Sequence, residues 1–127
     1  MVAGNVTGLP VGIYSYDPHQ HELSRILDSH KRAELSKAAL GQSSIKNAAA
    51  ILVISAVYER VTVKYGERGI RYVHMEAGHA AQNVFLQAVS LDLGTVVIGA
   101  FHDEEMRAVL HLRGQEQPLY IMPVGKK

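Results

Sequence analysis

Lys64 and Tyr65 stand side by side in a polar stretch interrupted by Gly66 and Gly69 and followed by Arg68 and Arg71. A lysine beside another cation or in a dry pocket can act as a base, and a neighbouring phenol can orient or relay the proton. The same stretch also reads as a solvated loop in which Lys64, Glu67, Arg68 and Arg71 pair with one another. Gly99-Ala100-Phe101 lies between an apolar segment and a helix start. Backbone N–H groups at such a place are free to meet electron-rich ligand atoms, and glycine there serves an ordinary turn equally well. Lys126, next to the end of the sequence, is either a point charge for an anion or a frayed terminal side chain.

The histidines carry less chemistry. His74 and His79 bracket Glu76 but are five residues apart, whereas ligands on one helical face come three or four apart, so the spacing argues against a metal. His79, Gln82 and Asn83 fall within one turn of an otherwise apolar segment and read as a hydrogen-bond network across a two-fold axis. His19, His21, His30, His102 and His111 are scattered over turns and helix ends and read as surface residues. No strained nucleophile motif of the Ser-His-Asp kind is present. There are no cysteines, which excludes disulfides, thiolate metal sites and a Cys nucleophile. Redox chemistry would need a borrowed cofactor.

Composition bounds the rest. The 127 residues, 47% hydrophobic, fit one domain spanning residues 1–127. A chain of this size buries only about two thirds of its unfolded surface, so burial between copies would help it. Lys and Arg total 13 against 12 acids, with no basic block, which argues against nucleic acid. Met1 to Pro10 lacks the features of a signal peptide, and the apolar run from Ala48 to Val57 is too short to span a bilayer. The expectation is a soluble, cytoplasmic protein with no membrane partner.

The elements that must hold these residues follow from periodicity. Gly12 to Tyr16 alternates, Asp17-Pro18-His19-Gln20 turns, and His21 to Ile26 returns, predicting a hairpin. Ser29 caps a predicted helix over 31–40, with Gly41 just past its end. Ala49 to Val57 reads as a strand covered on both faces. Glu59 to Arg71 reads as a polar connection and Tyr72 to Leu91 as a long helix apolar nearly all round, buried in the domain or against a partner. Thr95 to Ile98 is a second buried strand, Asp103 caps a helix through Leu110, and Pro118 to Val124 forms a last strand whose prolines favour an edge or terminal position. This order indicates an α+β sandwich.

Four segments then match one pattern: Leu9 to Pro18, Lys64 to Tyr72, Glu76 to Asn83, and Val97 to Phe101 taken with Pro118-Leu119-Tyr120 and Pro123-Val124-Gly125. In order, spacing and content they resemble the SagB-type, or thiazole/oxazole dehydrogenase, branch of the nitroreductase family, over nearly the whole chain. The resemblance implies a three-layer α-β-α fold with a mainly antiparallel mixed sheet and a long central buried helix. It also implies that the chain corresponds to the C-terminal half of the usual domain, an N-terminally truncated form lacking the Arg-rich helix start that grips the FMN phosphate.

By the same resemblance the chain is an FMN-dependent oxidoreductase working as a homodimer on a small organic or azoline substrate, with NAD(P)H as a candidate electron donor. Lys64 and Tyr65 would handle the proton, Gly99, Ala100 and Phe101 would lie against the flavin ring, and Lys126 would meet its phosphate. Two other readings stand beside this one. The chain could be a non-catalytic dimeric remnant, or a subunit whose missing N-terminal half comes from a separate chain. It could also be a small-ligand module without redox function, resting only on the buried helix and the glycine turn.

Overall fold

The computed structural model describes all 127 residues. Their strands form one six-stranded sheet, ordered β3-β2-β1-β4-β6-β5. These are β1 (Val2–Ala3), β2 (Gly12–Asp17), β3 (Glu22–Leu27), β4 (Ala50–Ala56), β5 (Leu93–Thr95) and β6 (Gln117–Lys126). Every pairing is antiparallel, so the sheet expected to be mainly antiparallel is antiparallel throughout. The predicted hairpin is β2–β3, and its turn is fixed by Asp17, whose carboxylate accepts from the amides of His19 and Gln20.

Five helices cover the sheet: α1 (Arg32–Ala38), α2 (Ser43–Asn47), α3 (Glu59–Tyr65), α4 (Arg68–Ser90) and α5 (Asp103–Leu110). Strand alternation divides the core into two layers. Ile51 and Ile121 face α1, α2 and α5, where Leu35, Ile45, Met106 and Leu110 close a continuous apolar cluster. Met122, next along β6 and fully buried outside that cluster, points to the opposite face. There α4 lays Val73, Ala77, Ala81 and Ala88 against the sheet. The result is the three-layer α-β-α arrangement.

Several sequence expectations shift. The first helix ends at Ala38 rather than residue 40, because Leu40 and Gly41 both turn left-handed and the Gly41 amide bonds back to Ser36. Its N-cap position is Lys31, not Ser29, and it has no side-chain cap. Asp103 occupies the first turn of α5, and His102 the cap position. The strand expected at 95–98 is displaced to 93–95, with Ile98 alone bridging to Ile121.

The last strand is interior, not at an edge, lying between β4 and β5. The amide of Ile121 donates to Ile98, so the amide position two residues on, Pro123, faces the same side. Pro123 has no N–H to give, and Val96 and Val97 leave the ladder there.

The largest correction concerns residues 59–71, expected as a loop. They fold as α3 and the first turn of α4, joined at Gly66, whose φ of 58° suits glycine. The two helices approach so closely that a Cβ on Gly69 would meet the Thr62 Cα at 3.0 Å and its amide nitrogen at 3.1 Å. A Gly69→Val variant must therefore part α3 from α4. We expect it to lose about 1–3 kcal/mol of unfolding free energy in urea titration, while a Gly78→Ala variant, whose added methyl meets nothing within 4 Å, loses none.

Candidate functional site

Placement of the candidate residues follows from where β4 ends. Ala56 pairs with Gln117 at the start of β6, and Gly99 packs beside the Tyr120 ring, 3.6 Å from a Cβ built at that position. The start of α3 and the Gly99-Ala100-Phe101 turn therefore share one end of the sheet. Gly99 and Ala100 are exposed, while Phe101 packs on the core. The amides of Gly99, Ala100 and Phe101 donate no hydrogen bond, and the turn is held by Ile98 to Ile121, by the Gln42 side-chain amide donating to the Ala100 carbonyl at 3.3 Å, and by the His102 amide to Ala38. Three consecutive open donors suit an electron-rich edge of a flat ligand.

Lys64 and Tyr65 sit at the far end of α3, about 9 Å along the helix from Tyr58. Tyr65 meets Tyr72 of α4 edge to face with centroids 5.3 Å apart, Lys64 Nζ lies 5.1 Å from the Tyr65 ring and the Arg68 guanidinium 6.0 Å from that of Tyr72. None of Lys64, Glu67, Arg68 or Arg71 takes part in an ion pair, so the mutual pairing that would make this an ordinary solvated loop does not form.

Lys126 lies elsewhere. It pairs with Leu93 at the other end of β6, six residues or about 20 Å from Tyr120. It lines a separate cleft of about 300 Å³ with Ser44, Asn47 and Thr95. The Thr95 hydroxyl is buried without a hydrogen-bond partner. A ligand touching both Lys126 and the Gly99 turn must lie extended along this edge of the sheet.

Sequence reasoning missed the pair formed by Tyr58 and His74. The Tyr58 hydroxyl is 2.8 Å from His74 Nε2, with the rings perpendicular at 5.6 Å. Burial, and secondarily the negative charge of Asp103, holds the Tyr58 phenol above its ordinary value. The signal was absent because the partners are sixteen residues apart, Tyr58 just before α3 and His74 within α4, and the segment 59–71 between them was read as a loop. We expect alkaline absorbance titration to show one phenol ionising above the rest, and Asp103→Asn to bring it down. The native state keeps this proton after the unfolded chain has lost it, so its contribution to stability is complete below about pH 10 and is lost as pH rises beyond.

Of the histidines, His79 points toward Glu76, 3.9 Å away. His19, His21, His30, His102 and His111 are all exposed, as expected.

The long helix is buried on one side only. Its other side carries Met75, His79, Gln82, Leu86 and Val89 at alternating spacings of four and three, which is the seam pattern by which helices pair. Leu86 and Val89 are 61% and 66% exposed.

Residues 7–126 match the sequence profile of the nitroreductase family. The chain is 53% identical over 123 residues to a nitroreductase homologue of Methanocaldococcus jannaschii, covering 97% of this chain and 61% of that one. Among solved structures, it superposes on a nitroreductase homologue from Anabaena variabilis with a TM-score of 0.92 and 38% identity, over 98% of this chain and 26% of that one. It also superposes on a chain of the Escherichia coli microcin synthetase McbBCD complex with a TM-score of 0.80 and 25% identity, over 90% of this chain and 44% of that one. The chain thus spans about three fifths of the curated relative and less than half of these two structural neighbours.

Proposed function

Because the chain belongs to the nitroreductase family, we propose that it is an FMN-dependent oxidoreductase of the SagB-type branch, acting as a homodimer on a small organic or azoline substrate. The open amides of Gly99, Ala100 and Phe101 carry this reading. They form a donor set for the electron-rich edge of a flavin ring, and the buried, unpartnered Thr95 hydroxyl beside Lys126 marks a polar place for a phosphate further along the same edge. When bound, FMN supplies the hydride acceptor and donor.

The chain's own residues do the rest. The Gly99 turn fixes the ring by its amides, and Phe101 anchors the turn in the core. Lys64 and Tyr65 hold or release the proton that accompanies the hydride, with Tyr65 kept in place by Tyr72. The seam on α4 receives a second copy, with His79 and Gln82 bonding across the two-fold axis and Met75, Leu86 and Val89 packing around them. NAD(P)H is the proposed electron donor.

Absorbance of the purified protein tests the reading. It should be yellow or take up added FMN, and it should run as a dimer. Colourless protein that binds no FMN would sink it and favour the second reading, motivated by the 61% span of the M. jannaschii relative. There the chain is a dimer without flavin, or binds flavin only together with residues that the longer relative adds.

A further inference from the structure

The α3–α4 tip concentrates positive charge on a chain that is nearly neutral. Residues 64–71 hold Lys64, Arg68 and Arg71 against the single carboxylate of Glu67, whereas the whole chain has a net charge of +1. All three cations are exposed, and none donates to any carboxylate or carbonyl of the protein. Glu59, the only acid of α3, faces the Gln115 amide at 3.0 Å instead. Two of the cations lie over rings, Lys64 over Tyr65 and Arg68 over Tyr72, and those two rings are 47% and 37% exposed. Three like charges left unpaired at one tip repel one another, and the repulsion is relieved by an anion. The exposed edge-to-face tyrosine pair beside them offers a surface for a flat ring.

We propose that this tip is a specificity site for planar organic anions, an aromatic ring stacking on the Tyr65–Tyr72 pair while its carboxylate or phosphate meets Arg68 and Arg71. The inference rests on the oxidoreductase reading in one respect: a small substrate held there lies beside Lys64, the proposed proton-handling group, which a bulky acidic partner or a lipid surface would not need to reach. Each exposed guanidinium–carboxylate contact favours the anion over its neutral counterpart by up to about fivefold, and the two together by up to roughly twentyfold.

The test compares two probes with the same ring, 4-nitrobenzoate and 4-nitrobenzyl alcohol, by equilibrium dialysis against the full chain, with and without saturating FMN. The expected result is about fivefold to twentyfold tighter binding of nitrobenzoate, weakening as salt is raised. In Arg68→Gln and Arg71→Gln the preference should shrink to within about threefold while the alcohol binds as before. Both side chains are exposed, and a circular dichroism spectrum matching the parent's confirms that these variants fold. Equal affinity for the two probes, or a preference that survives both substitutions, would overturn the proposal. So would displacement of nitrobenzoate by FMN, which would assign the tip to the cofactor. A protein that binds FMN without preferring the anion loses only this inference. One that prefers the anion but never takes up flavin loses only the oxidoreductase reading.

Discussion

Replacing Lys64 with methionine is expected to lower turnover by two to four orders of magnitude while leaving bound FMN and the fold intact. That range is what a positioned proton donor or acceptor contributes. Methionine keeps much of the aliphatic length beside the Tyr65 ring but can neither take up nor release a proton. Lys64→Arg should be nearly as slow, because a guanidinium preserves the charge and stays protonated. Tyr65→Phe isolates the hydroxyl, since the ring keeps its contact with Tyr72 5.3 Å away, and a smaller loss is expected. The measurement is kcat and KM with a flavin-saturated protein, alongside the flavin absorbance spectrum. Full turnover in Lys64→Met would remove the pair from the mechanism. Lys37→Met, on the exposed side of α1, should match the parent and controls for the loss of one positive charge.

What could be read from the residues alone depended on where the decisive contacts lie in the chain. The β2–β3 hairpin was legible because alternation and the Asp17 turn are both local, and the carboxylate of Asp17 acts only on the next few amides. The apolar run at 49–57 was legible as a strand because polar and apolar residues do not alternate in it and Ser55 alone interrupts it. The segment 59–71 was not legible. Its glycines mark a helix–helix corner and a close crossing, and Gly69 is small because Thr62 lies against it, a contact between helices that composition does not reveal. Of the edge or terminal position inferred for the last strand, the edge failed for a related reason. Proline disfavours a central strand only if the neighbouring strand claims its amide, and opposite Pro123 the ladder to β5 has already parted. Among the candidate site residues, Gly99, Ala100 and Phe101 were chosen for a strand-to-helix turn and form one. The positions of Lys64, Tyr65 and Lys126 depended on helix and strand lengths, which patterning sets only loosely.

The long helix shows how a correct observation on sequence acquires its physical meaning only in three dimensions. Apolar residues on several sides were read as burial in the domain or against a partner, and the structure divides them. Val73, Ala77, Ala81 and Ala88 meet the sheet, while Met75, Leu86 and Val89 face outward. In an isolated chain the second set exposes apolar surface without benefit. In a two-fold dimer each of these side chains is buried twice, once from each copy, and burying one Leu or Val is worth about 1.5–3 kcal/mol. Leu86→Asp should therefore remove about 3–6 kcal/mol from association, and a buried unpaired carboxylate adds further cost. That corresponds to a dimer dissociation constant raised roughly a hundredfold to ten-thousandfold. Sedimentation of Leu86→Asp and Val89→Asp should show monomers at concentrations where the parent is dimeric, with unchanged helical circular dichroism because neither side chain supports its own core. Because the proposed flavin site works in the dimer, the same variants should lose FMN as they dissociate. Variants that remain dimeric would move the interface off this seam, and His79 and Gln82 would then have no role across the two-fold axis.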